Sequence, residues 1–344
     1  LAPEPHVANP THGVITDVVN PPAVNQAPSD LTATLTLDAR SPPWGVARIK
    51  GRLAANLTGQ SGKLNLEGDW DGHPLNLQLL GAREVDGTLD LTIDASHLAG
   101  VNAQGQLRLA PDAVLPLGKI ELKASKLADL QPLVGQPLAG NLDLLLDLTK
   151  THALIRARGH GLRLPGELAL ESLSLDGQIS DPVALSGIQA RLQLGGLAVA
   201  STRGDLSLTA AGSQQALALS SEGQLETPLG PTRLSAAADL DIPGQRLTLS
   251  RFATEAQGQN LRLQNPAVLA FVEGVTVDRL RLELGGGSLD LGGRLAPMLD
   301  LKARLDRLDL AWLAGLAGQP LAAGLLDGQA ELQGPPTAPT GKLA

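Results

Sequence analysis

The feature that most constrains this chain is a two-residue spacing of leucine, which recurs from near Leu31 almost to the C-terminus. Successive side chains of a β-strand point to opposite faces, so leucines at alternate positions lie on one face of a strand. The positions between them hold mostly Thr, Asn, Asp, Arg, Gln and Ser. The pattern predicts strands that each have an apolar face and a hydrophilic face.

The strand runs follow one another as serial hairpins. They are separated by Gly, Pro, Asn or Asp at intervals of roughly 8–15 residues, and we count on the order of 24 runs. Turn candidates include Asp86–Gly87, Asp176–Gly177, Gly195–Gly196 and Pro243–Gly244. No helices of 10–15 residues alternate with the strands, which argues against a parallel βαβ sheet. Antiparallel pairing is therefore expected.

The fold class that we predict is all-β. A flat sheet with an exposed leucine face would aggregate, so the sheet must curl or pair with another sheet. We expect an elongated, curled, antiparallel-rich sheet that forms an open apolar groove, with two short amphipathic helices.

The two helices are expected at about 126–134 and about 308–317, where leucines follow helical spacing. Each segment ends at a glycine, Gly135 or Gly318, in the position of a helix C-terminal stop. The string Gln-Pro-Leu-Ala follows each glycine, and the two copies align at an offset of 183 residues. Such an internal repeat indicates serial architecture.

The repeat divides the chain into sections. We predict a Pro-rich, irregular or extended segment over 1–28, a first β-groove section over 29–135, a second over 136–318, and the start of a further section over 319–344. The chain begins without Met and has no recognisable signal peptide, so we expect it to be a section of a longer protein.

Composition excludes several kinds of function. The net charge of −8 and the absence of Lys/Arg clusters beside aromatic residues argue against nucleic acid as a partner. The chain has no cysteine, which removes disulfides, thiolate metal sites and cysteine nucleophiles. No stretch approaches the 18 consecutive apolar residues that indicate a membrane-spanning helix.

Catalytic patterns are also missing from the sequence. The six histidines are scattered, and none has the spacing of a metal site. The paired carboxylates Asp143/Asp147 and Asp239/Asp241 occupy hydrophilic strand positions beside leucine, where solvated charge is the expected role. Phosphate-binding loops and nucleophile elbows fail on spacing. We predict no catalytic residue, no metal and no cofactor, and a protein that is not an enzyme.

Several strings resemble a known family. The period-two leucine strands, Gly68–Leu75 and the helix-plus-strand block Leu127–Leu148 resemble the AsmA-like proteins. Leu261–Ala267, followed by Leu280–Leu289, is similar to the TamB family within them, and so is the ending Leu325–Pro335. The resemblance covers about residues 30–344.

The resemblance implies a fold, a location and partners. Members are anchored in the inner membrane of diderm bacteria and cross the periplasm as a long, taco-shaped β-sheet whose apolar groove is thought to carry phospholipid. They also partner an outer-membrane Omp85-type protein in assembling outer-membrane proteins. This chain would be a periplasmic middle section, with phospholipid acyl chains as its direct partner and the Omp85-type contact made by other parts.

The candidate groove lining consists of period-two leucines. They are Leu35, Leu37, Leu64, Leu66, Leu75, Leu77, Leu89, Leu91, Leu142, Leu144, Leu146, Leu206, Leu208, Leu247, Leu249, Leu280, Leu282, Leu284, Leu289 and Leu291. Replacing Leu144 or Leu282 with Arg is expected to obstruct lipid transfer while the strands stay paired.

Two other functions remain open at this point. A scaffold or chaperone could bind the strands of outer-membrane proteins through a free sheet edge. A β-solenoid adhesin is the third possibility, although such repeats are usually shorter and richer in Asn, Thr and Gly.

Overall fold

The computed structural model describes residues 30–41, 45–56, 60–70, 72–228, 230–256, 259–272, 274–310, 324–336 and 339–343. Within them, 22 strands belong to one antiparallel sheet. The all-β and antiparallel parts of the prediction are thereby confirmed. The Pro-rich segment 1–28 and most of the second predicted helix lie outside the described residues.

The chain divides into two compact units, Leu1–Ala169 and Leu170–Ala344. The strands of the first unit are β1 (Asp30–Ser41), β2 (Gly45–Asn56), β3 (Ser61–Trp70), β4 (His73–Arg83), β5 (Leu89–Leu98), β6 (Val101–Leu109), β7 (Leu117–Ala124), β8 (Ala139–Leu148) and β9 (Ala153–Leu164). Each of them pairs antiparallel with the next strand of the chain, from β1 to β9.

The second unit begins inside β10 (Leu168–Asp181). It continues with β11 (Ser186–Val199), β12 (Thr202–Ser213), β13 (Ala216–Thr227), β14 (Gly230–Asp241), β15 (Arg246–Ala256), β16 (Gln259–Leu263), β17 (Ala267–Ala270), β18 (Val275–Leu284), β19 (Gly287–Ala296), β20 (Leu299–Asp309), β21 (Leu325–Gly334) and β22 (Thr340–Leu343). The short strands β16 and β17 together fill one position, because both pair with β15 on one side and with β18 on the other.

The first predicted helix falls in the segment between β7 and β8, where the structure has two short helical turns. They are a 3-10 turn at Leu127–Leu130 and a single turn of α-helix, α1 (Gln131–Val134), not one continuous amphipathic helix. Leu127 is buried, and Lys126 lies 3.2 Å from Asp129 in an ion pair. Gly135 ends α1 with φ of 67°, a left-handed conformation that glycine adopts without steric cost.

In the second repeat copy, β20 runs to Asp309 and Leu310 is helical, so helical structure begins two residues after the predicted start at about 308. Its remainder from residue 311, with Gly318, lies outside the described residues. The section boundaries at 135 and 318 stay predictions.

Two of the four turn predictions named above are wrong. Asp86–Gly87 and Pro243–Gly244 do form turns. Asp176–Gly177 lies inside β10, and Gly195–Gly196 lies inside β11, where the pairing with β12 shifts register between Leu194 and Leu197. The glycine pair forms a β-bulge there, and the extra residue lets Leu194 and Leu197 stay on the same face.

Candidate functional site

Cross-strand register joins the apolar faces of the first unit into continuous rows. Residues directly opposite each other in an antiparallel pair share a face of the sheet. Row 1 comprises Leu31, Ala55, Gly62, Gly81, Leu91, Leu107, Gly118, Leu148 and Ala153. Every position in row 1 is apolar or glycine.

Two further rows repeat this arrangement across β1–β9. Row 2 comprises Ala33, Leu53, Leu64, Leu79, Ile93, Gly105, Ile120, Leu146 and Ile155. Row 3 comprises Leu37, Ile49, Gly68, Leu75, Leu98, Val101, Ala124, Leu142 and Gly159. At about 4.8 Å between strands, each row extends roughly 38 Å.

All predicted lining leucines of the first unit lie on this face. Leu37, Leu64, Leu75, Leu91, Leu142 and Leu146 belong to the three rows, and Leu35, Leu66, Leu77, Leu89 and Leu144 occupy positions of the same phase between or beside them. The predicted lining left out the other apolar members of the rows, among them Leu53, Leu107, Ile120 and the glycines. The signal was present, since Gly105 and Gly118 keep the period-two phase of their strands.

Most described leucines of the rows are half-buried, while Ile49, Ala124 and Ala153 are buried. Among the described lining leucines of the first unit, Leu91 is the most open, at 36% exposed, and row 2 also contains Leu53 at 39%. Among the described residues, no large side chain is fully buried. The leucines therefore shield one another along the sheet, while part of each stays accessible.

The opposite face of the first unit is hydrophilic over the same nine strands. Its matching row comprises Thr36, Lys50, Glu67, Asn76, His97, Asn102, Lys123, Asp143 and Arg158. Asp143, one of the paired carboxylates, lies between Lys123 and Arg158 in register. Most charged residues in the strands of the first unit thus lie on the face opposite the leucine rows.

A local charge network lies behind Ile120 on this hydrophilic face. Lys119 Nζ lies 2.6 Å from Glu121 Oε1, and Gln104 Nε2 donates a 2.7 Å hydrogen bond to Glu121 Oε2. The hydrogen bond from Lys119 is the main cause that lowers the pKa of Glu121, and the same contact raises the pKa of Lys119. The hydrogen bond from Gln104 to Glu121 joins β6 to β7 on this face.

The second unit carries apolar rows of its own. One, row 4, comprises Ile188, Gly212, Leu217, Leu240, Leu247, Leu269, Val277, Gly293, Leu301, Leu332 and Gly341. Another, row 5, comprises Leu194, Leu206, Gly223, Leu234, Thr254, Leu261, Leu284 and Gly287. The predicted residues Leu206, Leu247 and Leu284 belong to these rows.

The other predicted leucines of the second unit follow the same register. Leu208 lies opposite Leu192, Leu249 opposite Ala267, Leu280 opposite Leu291, and Leu282 opposite Leu289. All of these are half-buried except Leu282, which is buried.

Leu282, Leu284 and Leu308 form a buried cluster on this face. Phe252, Leu261, Leu263, Leu280, Leu289 and Leu305 pack against it. An arginine at position 282 would place a charge among these leucines, so the expectation that Leu282→Arg leaves the strands paired no longer holds. Leu144, which is half-buried, keeps its value as a surface probe.

A broad hollow in the second unit lies over the hydrophilic face. Its volume is about 700 Å³, and Asp205, Gln224, Arg233, Glu255 and Asn260, which follow one another in register, line it. Small side chains, among them Ser207 and Ser235, form part of its floor. Long polar side chains around a floor of small residues explain this hollow.

In the described part of the chain, no three His, Asp or Glu side chains gather as a metal site would require. No helix among those residues has the length and apolarity needed to span a bilayer. The arrangement offers extended apolar contact on one face and solvated charge on the other.

Comparison with known proteins finds no relative for this chain: no family model, no curated protein and no solved structure matches it.

Proposed function

We propose that this chain is a non-enzymatic section of a periplasmic lipid conduit of the AsmA-like and TamB type. In this proposal the sheet curls into an open trough, and phospholipid acyl chains move along the leucine rows between the inner and outer membranes. An inner-membrane anchor and an Omp85-type outer-membrane partner would be engaged by other parts of the protein.

The free energy needed to expose an acyl chain to water determines which lining a lipid conduit requires. A sixteen-carbon acyl chain that leaves a bilayer for water costs about 13 kcal/mol, at about 0.8 kcal/mol per methylene. A conduit must cover the chain at every step, and its lining should be uniformly aliphatic. Paired charges or a deep pocket along the path would hold the lipid in place.

The observation that carries the proposal is the continuity of rows 1, 2 and 3 over nine strands. No polar residue interrupts them, and the leucines whose side chains are described keep part of their surface accessible. A sheet whose apolar face served only as a protein core would bury such side chains more completely. Half-buried, continuous rows suit a surface that meets a mobile apolar ligand.

The test is lipid extraction from the chain after it has been produced in a bacterial periplasm and purified without detergent. Mass spectrometry should find phospholipid near one or more molecules per chain. The Leu144→Arg variant should lose most of it. Leu145→Arg is the matched control, because the same substitution falls on the next residue of β8, on the hydrophilic face opposite Glu121.

Equal lipid retention by the Leu144→Arg and Leu145→Arg variants would contradict the conduit. So would a folded parent that carries no lipid above an equally treated control protein.

The free edge of the sheet favours a second function. In the described residues β1 pairs only with β2, along all twelve residues of the strand. An open edge can accept a strand from another protein. A scaffold that assists outer-membrane protein assembly would use this edge, and an unfolded outer-membrane protein segment would then bind the chain without displacing lipid.

A further inference from the structure

One edge of the second unit is formed by successive hairpin turns that are joined to each other. We call the turns at residues 182–185, 214–215, 242–245, 271–272 and 297–298 the turn edge. The Gln214 N–H donates to Leu185 O at 3.0 Å, and the Ile242 N–H donates to Gln214 O at 2.8 Å. The Phe271 N–H donates to Gln245 O, also at 2.8 Å. Backbone hydrogen bonds therefore continue the ladder through the turns.

Large apolar side chains project from four of these five turns. Val183 is 65% exposed, Val272 59%, Met298 51%, Ile242 46% and Phe271 40%. The described tips at the opposite edge hold Ala200–Ser201, Pro228 and Gly285–Gly286 instead. Exposed apolar residues near that edge, Val199 at 40% and Leu325 at 65%, belong to strands. Among the described turns of the second unit, the large apolar tips thus lie on one edge.

Aspartates hold two of these turns in shape. Asp181 Oδ1 accepts hydrogen bonds from the Val183 and Ala184 N–H groups at 3.1 and 3.0 Å. Asp241 Oδ1 accepts one from the Gly244 N–H at 2.9 Å. These Asx-type turns preset the projecting side chains and occupy the nearest carboxylates. The turns therefore lose little conformational entropy when their side chains bind a partner.

A charged hollow lies one row behind the tips, on the hydrophilic face. Its volume is about 610 Å³, and it is lined by Arg246, Arg294, Asp278 and Asp300 around the small side chains Ala270 and Thr276. Arg246, Ala270, Thr276, Arg294 and Asp300 follow one another in register. Two arginines and two aspartates therefore line one shallow hollow.

We propose that the turn edge docks on a phospholipid surface with zwitterionic headgroups. The side chains of Ile242, Phe271, Val272 and Met298 enter the acyl region, while the hollow receives a headgroup. Arg246 and Arg294 face the phosphate, and Asp278 and Asp300 face the ammonium group. This site is separate from the leucine rows, and the proposal does not depend on the conduit.

Two observations favour lipid over a protein partner. Neighbouring turns on one edge are about 10 Å apart, because two strands separate them. Single apolar tips at that spacing do not form one contiguous patch, yet a fluid acyl layer accepts each of them separately. The balanced pair of arginines and aspartates also complements a headgroup with both charges.

Flotation with phosphatidylethanolamine and phosphatidylcholine vesicles tests the proposal. The double variant Ile242→Ser/Val272→Ser should bind at least about tenfold more weakly than the parent. Val199→Ser is the matched control, since Val199 is 40% exposed and lies near the opposite edge. Its binding should match the parent. Arg246→Gln/Arg294→Gln should weaken binding without changing the depth of the tips.

A tryptophan introduced into a turn reports how deeply that turn enters the bilayer. In Val272→Trp, vesicles should shift the emission to the blue, and brominated acyl chains should quench it. Ser201→Trp should show neither effect beyond the parent background. Far-UV circular dichroism confirms that each variant is folded.

No flotation of the parent would overturn the proposal, and so would equal losses in the Val199→Ser control. Binding only to vesicles of anionic lipid would overturn the assignment of a zwitterionic headgroup. Capture of a protein by the turn edge, with no vesicle binding, would replace lipid by a protein partner. Lipid co-purified on the leucine rows should be unchanged in the turn-edge variants, so this test and that of the conduit can fail independently.

Discussion

Row 2 of the first unit and the Leu282 cluster of the second unit are built from the same leucine spacing but end in different environments. Leu64, Leu79 and Leu146 of row 2 are half-buried. Leu282, Leu284 and Leu308 are 9%, 5% and 2% exposed. Period-two spacing decides which face a leucine lies on, and it does not decide whether that face becomes core or surface.

The difference has a local physical cause. Register shifts between Val277 and Leu280 and between Leu305 and Leu308 lie next to the cluster, whereas row 2 borders one bulge, in β5 after Ile93. Bulges bend a strand and increase its twist, which folds neighbouring side chains over one another. The ring of Phe252 fills additional space against the cluster. Row 2 contains only aliphatic residues and glycine, so it stays a surface.

The largest effect that separates the two regions is expected from a buried charge. Leu282→Arg should cost more than about 3 kcal/mol and abolish cooperative unfolding of the second unit, because the guanidinium group would enter the leucine cluster. Leu144→Arg should leave urea denaturation close to that of the parent. Similar denaturation curves for both arginine variants would mean that the regions do not differ.

Truncation of a leucine to alanine is expected to give the next largest loss of stability. Leu308→Ala should lower the free energy of unfolding by about 2–5 kcal/mol, since Leu308 is 2% exposed and its neighbours cannot fill the cavity. Leu146→Ala should cost about 1 kcal/mol or less, because its side chain already keeps part of its solvent contact. Chemical denaturation followed by circular dichroism measures both variants. A larger loss for Leu146→Ala would reverse the comparison.

Two glycines of row 1 allow a test of the strand register that forms the apolar face. Gly118 has φ of 136°, and a Cβ there would collide with the backbone oxygen of Gln106 across the strand pair. Gly118→Ala should therefore destabilise the pairing of β6 with β7 by about 1–3 kcal/mol. In Gly81→Ala the new Cβ meets only Leu91 Cδ2 at 3.5 Å, an ordinary contact. Thermal unfolding of the two variants should differ accordingly, and equal midpoints would contradict the register.

The smallest effect concerns the hydrophilic face behind row 2. The pKa of Glu121 is lowered in the folded state, so its stabilising contribution is present above the pKa of the unfolded carboxyl and is lost as pH falls through the folded pKa. The stability difference between the parent and Glu121→Gln should therefore be constant near neutral pH and shrink in acid. Denaturation at several pH values measures it. A stability difference between the two proteins that grows in acid would contradict a lowered pKa of Glu121.

Much of the fold follows from sequence, because alternation and turn residues are local signals. Period two predicts antiparallel strands, and Pro243–Gly244 marks a turn correctly. Gly195–Gly196 carries the same local signal but forms a bulge, since the pairing of β11 with β12 decides its role. Short-range spacing at Leu127–Val134 also predicts a longer helix than the 3-10 turn and α1 that form there.

The sequence predicts which face of the sheet carries the candidate site. It does not predict how far across the strands the site continues. Leucine spacing identifies residues such as Leu64 and Leu146, while the register that places them in one row with Ile120 and Gly105 depends on every intervening turn and bulge. The burial of Leu282 depends on residues far away in sequence, including Phe252 and Leu308. Neither property is encoded in a local pattern.

Photocrosslinking in cells tests the central claim most directly. A benzophenone amino acid at Ile120 or Leu146 lies in row 2, and the same probe at Lys119 or Leu145 lies on the opposite face of the same strands. The account predicts phospholipid adducts, detected by mass spectrometry, at Ile120 and Leu146 and none above background at Lys119 and Leu145. Adducts at all four positions, or at neither row position, would contradict a lipid path along the leucine rows.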